Sequence, residues 1–174
     1  NEGKDAQENQ NLRENIYRKH LQDSIITEAV FSDGTEMFLN PSEPKAGEAL
    51  TIRIRTAMEN VDKVVLVANG KEYTMEQAEQ DALFDYYQKT IKTPKEKLKY
   101  YFILQRNGQI CYYCRIGVRD RETCEKYPFF VLPGFSTPKW AKGAVMYQIF
   151  VDRFCNGDTE NDVLPNEYYY LNDY

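Results

Sequence analysis

The sequence contains little histidine and little cysteine, one and four residues respectively among 174. The histidine, His20, lies in a polar N-terminal segment. Ser-His-Asp and Cys-His sites need a histidine within hydrogen-bond reach of the nucleophile, so a single histidine in this position argues against both. Four cysteines are also too few for a disulfide scaffold in a chain of this length.

Two of the cysteines, Cys111 and Cys114, form a C-x-x-C motif of the kind found in redox pairs and zinc sites. The chain has no second C-x-x-C, and the flanking residues are typical of a β-strand. Residues three positions apart in a strand point to opposite faces, so both thiols could not bind one metal ion. We therefore expect these cysteines to be structural.

The sequence also lacks a long apolar run and an excess of positive charge. No stretch approaches the ~18 consecutive apolar residues that span a bilayer, and no signal-peptide pattern is present. There are 22 Lys and Arg against 27 Asp and Glu, which does not supply the basic surface that a phosphate backbone requires. We expect neither a membrane nor a nucleic-acid partner.

Location is less constrained by these absences. Few cysteines and the missing signal pattern favour the cytoplasm over secretion. The chain begins with Asn rather than Met, which leaves open that an upstream signal was removed.

What the sequence does contain is an alternation of apolar and polar residues. Leu50, Ile52 and Ile54 alternate with polar residues, which predicts a strand with one buried face. Asn69-Gly70 and Asn107-Gly108 each separate two β-prone runs, which predicts two hairpins with type I′ turns. The remaining predicted strands are Ile25–Phe31, Glu36–Leu39, Phe84–Lys89 and Phe129–Leu132.

About seven short strands with regular turn signals indicate an all-β domain, an antiparallel immunoglobulin-like β-sandwich over residues 25–134. Residues 1–24 form a polar leader in which Leu12–Leu21 has helical spacing, and Thr74–Leu83 is the other helical candidate. Prolines and a glycine in Leu132–Lys139 predict a linker.

The segment after the linker, residues 135–174, differs from the sandwich. Val145–Val151 is mostly apolar, as in a strand buried on both faces of a parallel barrel. Only 23 residues follow it, whereas a (β/α)8 barrel needs about 250 residues. We expect a truncated barrel that ends shortly after its first strand.

At this point the sequence resembles a known family. Trp140–Asp162 resembles the segment with which enzymes of glycoside hydrolase family 13, the α-amylase family, begin their catalytic barrel. The similarity is to the neopullulanase, cyclomaltodextrinase and maltogenic amylase group. Members of that group carry an N-terminal sandwich, carbohydrate-binding module family 34, and Leu83–Tyr87, Leu98–Leu104 and Cys111–Tyr113 are similar to its strands.

The resemblance implies a parent enzyme that hydrolyses α-glucans by a retaining mechanism with two carboxylates. In the family the catalytic carboxylates come from later barrel strands, which would lie beyond Tyr174. We therefore assign no catalytic residue in this chain and expect it to be inert by itself. Asp152, near the end of the first barrel strand, is interpreted as structural.

A polar loop follows that strand, with four oxygen-bearing side chains and a glycine that permits a sharp turn. The residues alone favour a solvated acidic loop over a metal site. The family resemblance implies a calcium loop, in which the candidate ligands are Asn156, Asp158, Asn161 and Asp162. Because further ligands would come from downstream, we expect calcium in the intact parent and none in this chain alone.

Tyrosine is abundant, with 14 residues. Aromatic rings can pack on the apolar faces of glucose units, but tyrosine also has a high strand propensity. Adjacent pairs place one ring on each face of a sheet, so the candidates for carbohydrate binding are Tyr86, Tyr87, Tyr112 and Tyr113, with packing as the alternative. A lysine cluster between Lys89 and Lys99 is interpreted as a solvated edge with no ligand.

Two functions remain from the resemblance. In the first, the chain is an α-glucan-binding or active-site-shaping module, with maltooligosaccharides, starch or cyclodextrins as ligands and the catalytic barrel as its neighbour. In the second, it is a dimerisation domain of the same enzyme with no affinity for sugars, and its partner is a second copy.

Overall fold

The fold was taken from a computed structural model that describes residues 9–17, 24–148, 157 and 160. The chain divides into two compact units, Asn1–Ser136 and Thr137–Tyr174. The first unit contains the two β-sheets, and the described residues of the second contain no strand.

Ten strands lie in the described part of the first unit, and every pairing between them is antiparallel. One sheet has four strands in the order β1-β2-β6-β5, and the other has six, in the order β4-β3-β7-β8-β9 with β10 also paired to β7. The strands are β1 (Leu39–Asn40), β2 (Ala49–Ala57), β3 (Lys63–Ala68), β4 (Lys71–Thr74), β5 (Glu76–Gln80), β6 (Phe84–Lys92), β7 (Leu98–Arg106), β8 (Gln109–Cys114), β9 (Gly117–Arg119) and β10 (Phe129–Val131).

The main core brings together the inward faces of both sheets. Leu50, Ile52 and Ile54 of β2 are fully buried, which confirms the alternation seen in the sequence. Phe102 of β7 is also fully buried, and the stacked ring of Phe129 lies 5.1 Å from that of Tyr100. Burial of aromatic side chains of this size contributes most of the stabilisation of such a sandwich.

Both predicted hairpins are present. β3 and β4 are joined by Asn69-Gly70, and β7 and β8 by Asn107-Gly108. The φ angles are +46° and +78° in the first turn and +45° and +79° in the second. Positive φ at both central residues defines the type I′ turn, and asparagine followed by glycine adopts it with the least strain.

Two of the predicted N-terminal strands are wrong in whole or in part. Within Ile25–Phe31 there is a short 3-10 helix, Thr27–Ala29, because the side chain of Asn60 accepts a hydrogen bond from Ile26 N at 2.7 Å in place of a strand partner. Of Glu36–Leu39, only Leu39 is in a strand, since Phe38 and Leu39 donate their amides back to Thr35 O in a turn.

The predicted helix at Thr74–Leu83 is also wrong. Residues Glu76–Gln80 form the edge strand β5, with a register shift between Gln77 and Glu79. All five residues are exposed, so the spacing of apolar residues does not distinguish a strand from a helix in this segment. Pairing with β6 decides the conformation, which shows tertiary contacts overriding a weak local preference.

Besides the 3-10 helix, two α-helices lie in the described part of the first unit. Residues 9–17 form α1, which begins three residues before the predicted Leu12–Leu21 helix and overlaps it from Leu12 to Tyr17. Residues 18–21 of the prediction lie outside the described part. Arg121–Lys126 forms α2, a helix that the apolar spacing does not predict. Asp120 caps α2, because its Oδ1 accepts a hydrogen bond from Thr123 N at 2.9 Å.

The described residues of the second unit are 137–148, 157 and 160. A turn is closed there by a 2.9 Å hydrogen bond from Ala141 N to Pro138 O. Of the predicted barrel strand Val145–Val151, residues 145–148 are described and are exposed without strand pairing. The rest of it lies outside the described residues, so the barrel start stays a prediction.

Candidate functional site

The tyrosine pairs alternate across the sheets as expected from a period of two. Tyr87 and Tyr113 pack in the main core, while Tyr86 and Tyr112 face outward. Burial, with Asp85 and Asp62 adding negative potential, raises the pKa of Tyr87 to about 12. The Tyr113 hydroxyl lies 3.3 Å from both the amide and the carbonyl of Ser32, which ties β8 to the N-terminal segment. The surroundings of both core rings are those of packing residues.

Tyr86 lies on the outer face of the four-stranded sheet and is 6% exposed. Its hydroxyl donates to Asp81 Oδ2 at 3.1 Å, and the Arg53 guanidinium carbon lies 5.4 Å from its ring centroid. Arg53 is itself held by Glu79 at 2.8 Å. Neighbouring side chains therefore cover this ring.

The outer face of the six-stranded sheet is different, because α2 packs on it and leaves a cleft. A second apolar cluster lies under α2, and it includes Val67, Tyr101, Cys114 and Cys124, with the half-buried Tyr112 beside it. The cleft has a volume of about 300 Å³, at the lower end of the range for small-molecule sites. It is lined by Val67, Asn69, Gly70, Glu72, Lys99, Tyr101, Arg121, Glu125 and Pro128.

Three side chains in this cleft form a connected polar group. Glu125 Oε1 accepts from Arg121 Nε at 2.9 Å and from the Tyr101 hydroxyl at 3.4 Å. The hydrogen bond to Glu125 raises the pKa of Arg121, and burial followed by the Glu125 charge raises the pKa of Tyr101. The cleft thus presents a phenol, a guanidinium and a carboxylate side by side.

The opposite rim of the cleft is the first hairpin turn. Asn69 N donates to Lys99 O and Asn69 Oδ1 accepts from Lys99 N, both at 2.8 Å. These bonds fix the turn against β7, and Gly70 supplies the positive φ that the turn requires. The cleft is therefore bordered by a rigid turn on one side and a capped helix on the other.

This cleft is not among the sites predicted from the sequence. Tyr101 is predicted only as part of a strand, and Arg121 and Glu125 have no predicted role. A signal is present, because Asp120 is a preferred N-cap residue and Glu122 adds an acidic residue in the first turn. An N-cap at Asp120 places Arg121 and Glu125 one turn apart on one helix face.

Three of the four cysteines, Cys111, Cys114 and Cys124, lie among the described residues, and Cys155 lies outside them. Cys111 packs against the main core, and Cys114 lies with Cys124 in the second cluster, so the two thiols of the C-x-x-C point to opposite faces. Both Cys114 and Cys124 are fully buried free thiols. Burial raises the pKa of Cys111 to about 11, and burial together with the adjacent Cys114 raises the pKa of Cys124 to about 12.

The four residues predicted to bind calcium, Asn156, Asp158, Asn161 and Asp162, lie outside the described residues. Calcium binding therefore stays a prediction. Among residues 9–17, 24–148, 157 and 160, no cluster of three or more histidine, cysteine or acidic side chains is arranged to hold a metal ion. None of the helices in this same part of the chain is long and apolar enough to cross a membrane.

Comparison with known proteins gives one matching family over most of the sandwich. Residues 27–135 match the family described as "Alpha amylase, N-terminal ig-like domain". A cyclomaltodextrinase of a Bacillus species is 33% identical over 130 residues, which covers 67% of this chain and 23% of that protein. Neopullulanase 2 of Thermoactinomyces vulgaris is 29% identical over 153 residues, or 79% of this chain and 26% of the relative.

A solved cyclomaltodextrinase structure is also similar. It has a TM-score of 0.53 and 27% identity, with 79% of this chain and 26% of that chain covered. The chain thus spans about a quarter of the length of the curated relatives it matches. It belongs to the alpha-amylase N-terminal Ig-like domain family, the β-sandwich found at the N-terminus of cyclomaltodextrinase-type enzymes of glycoside hydrolase family 13.

Proposed function

We propose that this chain is the α-glucan-binding module of a cyclomaltodextrinase-type glycoside hydrolase, and that the cleft beside α2 is its sugar site. The names of the relatives, cyclomaltodextrinase and neopullulanase, point to α-linked glucans as the ligand class. In this proposal the module holds the glucan, and the catalytic carboxylates belong to the barrel of the parent enzyme.

The observation that carries the proposal is the pairing of Arg121 with Glu125 above Tyr101. A sugar hydroxyl is both a donor and an acceptor, so a guanidinium and a carboxylate side by side can bind neighbouring hydroxyls. Val67 and Pro128 supply apolar wall for the faces of the glucose ring. Buried apolar surface with a few fixed polar groups is the usual composition of a small-molecule site.

The four tyrosines proposed from the sequence have unequal roles under this hypothesis. Tyr112 lies on the same outer face as Tyr101 and is half-buried, so it extends the aromatic surface near the cleft. Tyr87 and Tyr113 act in packing. Tyr86 defines the competing location on the other sheet.

The proposal is tested by titrating the full chain with maltoheptaose and β-cyclodextrin, followed by ligand-observed NMR. We expect saturable binding between micromolar and low-millimolar ligand, and a loss of affinity of at least tenfold in R121Q, because the guanidinium donates to the sugar. Arg121 is exposed, so the substitution leaves the sandwich folded.

The matched control is R53Q, which removes the equivalent cation of the Arg53–Glu79 pair on the other sheet. It should leave the affinity unchanged. A loss in R53Q with none in R121Q would move the site to the face around Tyr86. No binding of either sugar by the wild-type chain up to about 10 mM would overturn the glucan-binding role.

A second candidate function, subunit association, has one observation in its favour. An apolar groove of about 270 Å³ includes Leu39 and Val131 and is bordered by exposed Phe130, Leu132 and Phe135. Adjacent exposed apolar residues mark interaction surfaces. Sedimentation of the full chain tests this role: a dimer that F135S converts to monomer would support it, and a monomeric wild-type chain across millimolar concentrations would contradict it.

A further inference from the structure

A second pocket of about 230 Å³ adjoins the cleft, and its charge is of one sign. Lys99 and Pro128 line both cavities. The charged side chains of the second pocket are Lys97, Lys99, Arg115 and Lys126, and its lining contains no carboxylate. The chain has a net charge of -5, so a cavity lined by four cations has a charge opposite in sign to that of the whole chain.

These cations come from separate parts of the fold. Lys97 directly precedes β7 and Lys99 is its second residue, Arg115 lies in the turn after β8, and Lys126 is the last residue of α2. Leu98 and Tyr100 point into the core, which sends the alternate positions Lys97 and Lys99 outward. Two lysines of the cluster interpreted from the sequence as a solvated edge, Lys97 and Lys99, thus line a pocket.

Aromatic side chains orient part of this cluster. Lys97 Nζ lies 4.0 Å from the ring centroid of Phe130, and Lys126 Nζ lies 5.6 Å from that of Tyr127. Phe130 of β10 is directly opposite Lys99 in the sheet register. Within the part of the chain that the structure describes, none of the four cations is joined to a carboxylate by a salt bridge.

We infer that this pocket binds the phosphate monoester of a phosphorylated α-glucan whose sugar chain lies in the adjoining cleft. The inference rests on the proposed glucan-binding function. A phosphate monoester carries about -1.5 to -2 charge and three acceptor oxygens, which match several cationic side chains lining one pocket. Arg115 adds a planar donor fork that can bind two phosphate oxygens at once.

The shape of the site favours a phosphorylated sugar over an acidic protein segment. The basic pocket is concave, holds one small group, and shares a wall with a cleft of mixed polarity. A surface for an acidic protein would instead extend its positive charge over several hundred Å². A phosphorylated sugar needs only one pocket for its phosphate and one adjoining cleft for its sugar chain.

The test is titration of the full chain at about 20 mM salt with glucose 6-phosphate, with maltose and inorganic phosphate as separate probes. We expect glucose 6-phosphate to bind at least tenfold more tightly than either. R115Q/K126Q should weaken that binding at least tenfold, and R115K should keep part of it because the charge remains without the bidentate fork. Raising the salt to 200 mM should weaken it severalfold.

The matched control is K45Q/K63Q, which removes two exposed lysines outside the pocket and changes the net charge equally. It should change the affinity less than twofold. An equal loss of affinity in both double variants would mean that the overall charge of the protein causes the effect rather than the pocket, and it would overturn the inference. Inorganic phosphate binding as tightly as glucose 6-phosphate would overturn the sugar component, and tighter binding of a polyglutamate peptide would indicate an acidic protein partner instead.

Failure of this inference can be distinguished from failure of the glucan role. Uncharged maltoheptaose reports on the cleft alone, so R115Q/K126Q should leave its affinity unchanged while R121Q lowers it. Maltoheptaose binding without any preference for glucose 6-phosphate over maltose would leave the glucan role standing and remove the phosphate pocket. Glucose 6-phosphate binding without maltoheptaose binding would remove the glucan role and overturn the inference with it, leaving only an anion pocket.

Discussion

The outer faces of the two sheets contain similar residue types in different arrangements. On the four-stranded sheet, charged groups are matched by their neighbours. Arg53 is bonded to Glu79, and the guanidinium carbon of Arg55 lies between two rings, 5.2 Å from the centroid of Phe31 and 4.2 Å from that of Phe84. Both of these cations have a partner supplied by the fold.

On the six-stranded sheet, α2 covers only part of the surface and leaves two adjoining cavities. Arg121 and Glu125 line the first cavity. Four cations line the second cavity, and its lining contains no carboxylate. Like charges brought together repel one another, by about 0.5 kcal/mol for a pair 8 Å apart in water. The repulsion among the cations of the second cavity therefore works against the stability of the fold.

Comparing the two faces shows how structural charges can be separated from charges proposed to bind a ligand. Aromatic and charged residues are present on both faces, so composition does not distinguish them. Arg53 and Arg121 are each paired with a glutamate, so the distinction is that Arg121 lines an open cleft, whereas Arg53 lies over the covered ring of Tyr86. By that criterion Tyr86 belongs to the structure, and Tyr101 belongs to both the structure and the site.

The strongest test of this comparison removes one outward tyrosine from each sheet. Y101A and Y86A should each lower the free energy of unfolding by about 3 kcal/mol, since both rings are more than nine-tenths buried. Only Y101A should also abolish maltoheptaose binding, because Tyr101 forms the floor of the cleft. Urea denaturation and NMR titration at low temperature measure the two effects separately.

The conservative variants Y101F and Y86F serve as controls, because they keep the rings and remove only the hydroxyls. We expect each to cost about 1 kcal/mol or less. If Y86A and Y101A reduced sugar binding equally, the two faces would not differ in function, and the comparison would fail.

A smaller effect is expected from the cations that stack on rings. R55M should destabilise the fold by about 1 to 2 kcal/mol, since Arg55 is partly buried between Phe31 and Phe84. K97M should change stability by less than about 0.5 kcal/mol, because Lys97 is exposed and relief of repulsion in the basic pocket offsets the lost contact with Phe130.

Chemical denaturation of both variants at low and high salt measures this difference. Added salt should weaken the repulsion that K97M relieves, and it should leave the cost of R55M nearly constant. A loss in K97M as large as that in R55M would mean that the basic pocket stabilises the fold, contrary to its proposed role in binding.

Much of this fold could be predicted because its strongest local signals agree with its tertiary contacts. The alternation of Leu50, Ile52 and Ile54 and the two Asn-Gly turns are examples, since burial of one face and positive φ both act within a few residues. Thr74–Leu83 could not be predicted, because the edge strand there is defined by pairing to β6 and by no buried residue of its own.

The candidate site was less predictable than the fold. Its aromatic floor comes from β7, its rim from the turn between β3 and β4, and its ion pair from α2, and only the structure brings them together. The strand period correctly assigned the members of each tyrosine pair to two faces, but it could not show which outer face is covered by its own side chains. The lysine cluster could be recognised in the sequence. Arg115 and Lys126 could not be grouped with it, because only the positions of β8 and α2 bring them to the same pocket.

The smallest predicted effect compares one carboxylate from each side of the sandwich as a function of pH. Hydrogen bonds from the amides of Leu83 and Phe84 and from the Tyr86 hydroxyl lower the pKa of Asp81, with the Leu83 amide as the largest cause. Donation from Thr123 lowers the pKa of Asp120.

Because the folded pKa is below the unfolded value in both cases, each charge stabilises the fold above that value, near 3.8. The stabilisation is lost as the pH falls through the folded pKa. We therefore expect wild type to be more stable than D81N and D120N at pH 6, and these differences to shrink below about pH 4. Asparagine still caps α2, so D120N should show the smaller difference. Thermal unfolding at pH 6 and pH 3 measures both, and differences that do not shrink at all between these two pH values would show that the charge of these carboxylates is not their cause.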